Sequence, residues 1–263
     1  MIADSIREEV QTRLREIEDE EGVKVFFACE SGSRAWGFPS ADSDYDVRFL
    51  YAHPRPWYLS IDLERRRDVI ERPITDALDI SGWDLRKALQ LFRKSNPPLL
   101  EWLQSPIVYR EETTVASRFR DLIPVYYSSR KARYHYLHMA QGNYRGYFKG
   151  EEVWIKKYFY VLRPLLAILW IDAGLGTVPM EFEILVERLV TSLPLRQAID
   201  ELLAVKRAGE EVGRGPRIAP ISDFIEQELK RLASTRVEDN RPKPDVEALN
   251  QFFREALDEL WPE

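Results

Sequence analysis

Cysteine is close to absent, with Cys29 the one example in 263 residues. A single thiol excludes an internal disulfide framework and a cysteine-based zinc site, and at the end of an apolar run it reads as a small buried hydrophobe. Histidine is nearly as scarce, at three copies. His135 and His138 have no acidic or cysteine neighbour at ligand spacing and no serine or cysteine partner, which argues against a zinc site or a hydrolase. Excess basic charge is also missing: the net charge is −6 and the pI about 5.4. Such a chain does not coat nucleic acid, although local basic patches stay open. No apolar run reaches the roughly 18 residues of a membrane span. The longest, Tyr158 to Ile171, is interrupted by Arg163 and Pro164. Residues 1–20 are charged rather than apolar, so no secretory leader is expected, and the expectation is a cytoplasmic protein with no membrane partner.

What is present is enough for a sizeable core: 44% of residues are hydrophobic and 12% aromatic. The length suits two domains, and the patterning changes near residue 110. Before it, strands and helices mix. Ser5-Ile-Arg-Glu8 has capping-box spacing, and Ile6, Val10, Leu14 and Ile17 recur at helical intervals until Gly22. Val23 to Cys29 and Asp44 to Tyr51 read as strands, Arg67 to Arg72 as a further candidate, and Leu78 to Ile80 and Ile107 to Tyr109 as extended pieces. Ser81 to Asp84 reads as the cap of a helix bearing Leu85, Leu89 and Phe92, stopped by Asn96-Pro97-Pro98. Beyond residue 110 the period is helical almost throughout, including 152–172 as one helix, with 209–220 and 234–244 as loops. An α/β domain over 1–110 followed by an all-helical domain over 111–263 is expected.

The stretch Phe26 to Tyr51 carries the chemistry. A strand runs into Ser31-Gly32-Ser33, where glycine lets the backbone turn tightly and approach a ligand and the small hydroxyl neighbours suit phosphate oxygens. A polar loop then leads to a second strand with Asp44 and Asp46 at alternate positions, on one face and about 6.6–6.8 Å apart. Two acids on one face of a core-like strand repel unless a cation lies between them. Oxygen donors of this kind suit Mg²⁺, which takes one or two carboxylates plus substrate phosphates. Asp79 stands alone on the opposite face from Leu78 and Ile80. Arg48 shares the face of the aspartates and either neutralises them or meets a ligand. Arg34 suits a phosphate or an ion pair with Glu30. From Tyr126 to Tyr147, tyrosines alternate with Arg130, Lys131, Arg133 and Arg145, a mixture that either packs a helix interface or stacks bases.

Gly32-Ser33-Arg34-Ala35-Trp36-Gly37 followed by Ser43-Asp44-Tyr45-Asp46 resembles the Gly-Ser … Asp-x-Asp signature of the DNA polymerase β-like nucleotidyltransferase superfamily. Wider strings resemble the bacterial and phage nucleotidyltransferases associated with RNA ligases and RNA repair. They are Asp79-Ile-Ser-Gly-Trp-Asp-Leu-Arg-Lys-Ala-Leu89, Asn96-Pro-Pro-Leu-Leu-Glu-Trp-Leu103 and Lys156-Lys-Tyr-Phe-Tyr-Val-Leu-Arg-Pro-Leu-Leu166. The resemblance implies an α+β fold, with a mixed sheet of about five strands backed by helices and then a helical domain. It implies two Mg²⁺ ions, replaceable by Mn²⁺, on Asp44, Asp46 and Asp79, with Asp79 also the general base. It places the nucleotide on Gly32, Ser33, Arg34, Ser43, Lys156 and Tyr158. The activity implied is transfer of NMP from an NTP such as ATP to an acceptor hydroxyl, foremost an RNA end such as that of a damaged tRNA. The alternatives are nucleotidylation of a partner protein and a silent nucleotide- or RNA-binding module. Trp36 departs from the minimal enzymes, which have arginine there, and this puts a shared acceptor in doubt.

Overall fold

Five short strands form one mixed sheet: β1 (Lys24–Glu30), β2 (Tyr45–Ala52), β3 (Val69–Glu71), β4 (Leu78–Asp84) and β5 (Val108–Arg110). The computed structural model describes residues 2–75, 77–148, 150–209, 213–235 and 244–262. The strand order is β3-β4-β2-β1-β5. β2 and β4 pair in parallel and the other neighbours antiparallel. Strand alternation sends Val47, Phe49 and Tyr51 to one face, where they share a core with Val10, Leu14 and Ile17 of the Asp4–Glu21 helix. Leu50 and Ala52 go to the other face, with side chains of the Leu85–Phe92, Pro97–Leu103, Val115–Asp121 and Val246–Leu260 helices. A sheet buried on both faces is what the apolar runs of β1 and β2 require. Gly82 lies opposite Phe49 in the register, and a Cβ there would stand 2.3 Å from the Phe49 ring.

By internal contacts the chain separates into two compact units rather than at one point near residue 110. One comprises the described residues of Met1–Gly32, Asp44–Tyr127 and Pro242–Glu263, and the other those of Ser33–Ser43 and Ser128–Arg241. The second unit is built round the helix Tyr158–Asp172, buried from Tyr158 to Ile171 on most of its surface. The helices Ser129–Tyr147, Phe182–Leu189, Leu193–Arg207 and Ala219–Ser234 belong to the same unit. The Ser33–Ser43 segment is tied into it by Phe38, stacked on Phe159 at 4.5 Å, and by the Phe182 N–H, which donates to the Trp36 carbonyl at 2.9 Å. Among the described residues no helix is long and apolar enough to cross a membrane.

Three local expectations change. The first helix starts at Asp4 with Ala3 as its cap residue, whose carbonyl accepts from the N–H groups of Ile6 and Arg7. Ser5 therefore sits inside the first turn and no capping box forms. Gly22 does end the helix, in the left-handed region at φ 63. The helix expected over 152–172 begins at Tyr158; Glu152–Trp154 is instead a strand, β6, paired with β7 (Arg214–Pro216) in the stretch expected to be a loop. Val153 is buried between exposed Glu152 and Trp154, a period of two that helical averaging hides. The 234–244 loop falls mostly outside the described residues.

Ser81 to Asp84 continue β4, and only Asp84 caps the Leu85–Phe92 helix, accepting from the Arg86 N–H at 2.8 Å. Its other oxygen accepts from the Tyr58 hydroxyl at 2.6 Å. Burial raises the Asp84 carboxyl to about 6, more than these hydrogen bonds lower it. Burial likewise lowers His53, stacked on Trp57 at 3.9 Å, to about 4. Asp84 favours the protonated fold, so its contribution is full below its unfolded value near 4 and is lost as pH rises through 6. His53 favours the neutral fold, so its contribution is full above 6.5 and is lost as pH falls towards 4. Between these limits the two oppose each other. In Asp84→Asn only the His53 slope remains, and urea-unfolding stability should rise more steeply from pH 4 to 6 than in the wild type, by on the order of 2–3 kcal/mol. Equal slopes would refute this assignment.

Candidate active site

The parallel register sets Asp46 of β2 directly beside Asp79 of β4. Both side chains point to the face that carries Arg48, and one guanidinium nitrogen holds both carboxylates: Arg48 Nη2 donates to Asp46 Oδ1 at 3.2 Å and to Asp79 Oδ2 at 2.7 Å. The other terminal nitrogen donates to the carbonyls of Val47 and Asp79 at 3.0 and 2.9 Å. The three groups are partly open to solvent, with side-chain exposures of 17% for Arg48, 28% for Asp46 and 31% for Asp79. Like charges on adjacent strands repel, and here a cation resolves the repulsion.

Gly32 fixes the other side of Asp46. It opens the short helix Gly32–Ala35 at φ 59, and a Cβ on it would lie 2.0 Å from Asp46 Oδ2. A side chain at this position would force the carboxylate to move and would strain a backbone at positive φ. The neighbouring Ser31 N–H donates to the Asp46 carbonyl at 2.8 Å. Below the turn, Glu30 at the end of β1 is fully buried, and its Oε1 accepts from the Asp46 N–H at 2.8 Å. Its Oε2 takes a short hydrogen bond from the Tyr109 hydroxyl, and its carbonyl accepts from Ser105 Oγ at 2.7 Å. From sequence Glu30 suits an ion pair with Arg34; its place directly at the end of the apolar β1 run is the signal for a structural role at the site.

The remaining expected residues take varied positions. Asp44 is exposed one residue before β2 begins, so strand alternation does not fix its direction. Among the described residues no three His, Cys, Asp or Glu side chains form a metal-binding group, so the structure gathers a pair of carboxylates rather than three. Arg34 Nη2 donates to the Ser43 carbonyl at 2.6 Å, closing the loop between the two motifs. Ser33 accepts at its carbonyl from the Phe38 N–H at 3.0 Å. Ser43 is buried, its hydroxyl 3.0 Å from Ser40 Oγ and 3.2 Å from Lys206 Nζ. Lys206, in the last turn of the Leu193–Arg207 helix, also donates to Ser40 Oγ at 2.7 Å. Lys156 lies 3.9 Å from Asp42. Tyr158 is fully buried, its hydroxyl 2.7 Å from Ser222 Oγ and accepting from the Ile218 N–H at 2.9 Å. That hydroxyl is spent on the core, which corrects the expectation that it meets the nucleotide.

The donor set of Asp46 and Asp79 fits a hard cation such as Mg²⁺: two carboxylates that already share one positive nitrogen, with sites left for phosphate oxygens. The close approach of Gly32 holds the Asp46 carboxylate in place. In Gly32→Ala the Asp46 carboxylate should swing away and the Arg48 contact break, seen as a displaced side chain in a crystal structure. Stability should fall by about 1–3 kcal/mol from the strained backbone. An undisplaced Asp46 in that variant would sink the account.

Residues 6–255 match the family described as the RNA repair pathway DNA polymerase beta family. The chain is 49% identical over 258 residues to "Uncharacterized protein YcgL" of Bacillus subtilis strain 168, covering 97% of this chain and 98% of that one. A solved nucleotidyltransferase-like protein from Exiguobacterium sibiricum 255-15 is similar over 95% of this chain and 88% of its own, at 11% identity and a TM-score of 0.36. The mixed sheet, the helical segments after it and the full-length match agree with the resemblance seen in the motifs, and this chain belongs to the RNA repair pathway DNA polymerase beta family.

Proposed function

We propose that the protein is a metal-dependent nucleotidyltransferase that moves NMP from an NTP to the hydroxyl of an RNA end and releases pyrophosphate. The observation that carries this reading is the Asp46–Asp79 pair, set side by side by the β2–β4 register and pressed by Gly32. The family description supports the RNA acceptor. Asp46 and Asp79 would hold Mg²⁺ or Mn²⁺, in the two-ion arrangement with Asp44 as a neighbouring donor. Bound there, the metal supplies the positive charge that draws triphosphate oxygens and acceptor oxygen together.

The chain's own groups then have distinct tasks. The Gly32-Ser33 turn presents backbone N–H groups and a hydroxyl to the β- and γ-phosphates, which orients the α-phosphorus. Asp79 accepts the proton of the acceptor hydroxyl. The acceptor oxygen forms a new bond to the α-phosphorus as the bond from that phosphorus to the pyrophosphate oxygen breaks. Arg48 leaves its place between the carboxylates or turns to the phosphates as charge arrives there. Glu30 holds the Asp46 backbone through the Asp46 N–H.

Incubation with α-³²P-labelled NTPs, Mg²⁺ or Mn²⁺ and tRNA or RNA oligomers should label the RNA. Asp46→Asn and Asp79→Asn should each lower the rate by a factor on the order of 10²–10⁴ with folding intact. Label on protein in a lysate, with none on RNA, would replace the acceptor. No label on anything, together with no metal-dependent NTP binding, would remove the enzyme reading.

A further inference from the structure

Trp36, the residue that departs from the minimal enzymes, has a definite setting within the second unit. Its ring meets Tyr160 edge-on at 5.9 Å, and the Arg163 guanidinium lies 5.0 Å from its centroid. Lys157 Nζ sits over Tyr160 at 4.4 Å and over Tyr147 at 5.1 Å. Cations and rings thus form one row in the order Arg163, Trp36, Tyr160, Lys157, Tyr147, with the two central rings in contact. The ladder is held firmly at its inner end, because Arg163 is buried and donates to the Met180 carbonyl. Asn143, one turn before Tyr147, donates to the Tyr160 carbonyl at 2.9 Å.

A helical tyrosine is usually core, and Tyr158 shows what that looks like. Tyr160 differs: it is 42% exposed and, with Trp154 at 44%, is the aromatic side chain most open to solvent among the described residues. Both carry a cation over the ring, Arg214 in the case of Trp154 at 5.7 Å. The Lys157 ammonium faces the Tyr160 and Tyr147 rings. Trp36 Nε1 is buried with no hydrogen-bond partner, a cost that folds tolerate mainly where a site needs it.

We propose that this ladder is a stacking platform for unpaired bases of a single-stranded nucleic acid, and that it holds the RNA acceptor strand of the reaction proposed above, on which it rests. The exposed Tyr160 ring, flanked by the partly buried Trp36 and Tyr147, takes a base regardless of sequence, and Lys157 meets the adjacent phosphate. The platform extends from Trp36, three residues past Ser33 in the chain, to Tyr147, all within the second unit. A duplex keeps its base faces stacked internally and cannot use it.

The test is fluorescence anisotropy of the full chain with a labelled RNA of about ten nucleotides, against DNA of the same sequence and an RNA duplex as competitors. Tyr160→Ala should weaken RNA binding about tenfold while Tyr160→Phe keeps it. Lys157→Met should weaken it several-fold and reduce the salt slope by about 0.7. DNA of the same sequence should bind comparably, since stacking reads no 2′-hydroxyl, and the duplex should compete poorly. Asp46→Asn should bind RNA like the wild type while losing nucleotidyl transfer, which separates the platform from the chemistry. Unchanged binding by Tyr160→Ala, a duplex that competes equally, or no RNA binding by a wild type that labels protein would each overturn the platform. The first of these, with transfer still lost in Asp46→Asn, would leave the nucleotidyltransferase reading standing.

Discussion

The arrangement depends on two carboxylates in neighbouring positions of a parallel strand pair. Asp46 and Asp79 sit across from each other because β2 and β4 pair in register over seven residues, from Tyr45 beside Leu78 to Tyr51 beside Asp84. A slip of one residue would turn Asp79 into the core and bring Leu78 or Ile80 to the site face. The apolar pattern on the far face forbids it, since Val47, Phe49, Leu78 and Ile80 are all buried there. Packing on one side of the sheet therefore enforces electrostatic conflict on the other. Arg48 relieves the conflict, and the relief is reversible, since a guanidinium on a flexible stem can be displaced in a way a buried side chain cannot.

A second constraint comes from below. Glu30 is a buried carboxylate whose oxygens take the Asp46 N–H and the Tyr109 hydroxyl, linking β1, β2 and β5 at one point. A buried acid without hydrogen bonds is costly, so these donors are obligatory and their positions become fixed. Gly32 then closes on Asp46 from the turn. The carboxylate is held by its backbone from beneath, by Arg48 at one oxygen and by the absence of a side chain at the other. Preorganisation of this kind leaves the Arg48 guanidinium as the one group that has to move when a ligand's charge arrives.

Much of this was legible in the sequence, and the failures have physical causes. The strand–turn–strand motif, the strand character of Asp79 and the helical character of the second half follow from periodicity and glycine placement, which are local properties. The partner of Asp46 was not local. Asp44 and Asp79 both read as companions of Asp46; because the strand begins at Tyr45, the register fixes only Asp79, thirty-three positions on, directly beside it. Glu30 and Lys206 were passed over for the same reason, since a buried acid and a serine-bound lysine declare themselves only through tertiary contacts. Tyr158 and Tyr160 are two residues apart on one helix and meet opposite fates, a difference set by which side of that helix is covered. The division of the chain was hidden as well: Gly32 and Ser33 adjoin in sequence but belong to different compact units.

The charge balance gives the last step. At a net −6 the chain repels polyanions at long range. A nucleic-acid strand bound by such a protein has to be held by short-range contacts. Stacking on aromatic faces meets that need, since it acts at van der Waals distance and survives salt that screens a lysine. Cations placed over rings rather than spread across the surface add local attraction without a wide basic field. An acidic chain with a narrow cationic–aromatic path is suited to gripping an unpaired end and releasing the rest. The same feature that sets aside a coating protein therefore favours one that takes hold of a single strand.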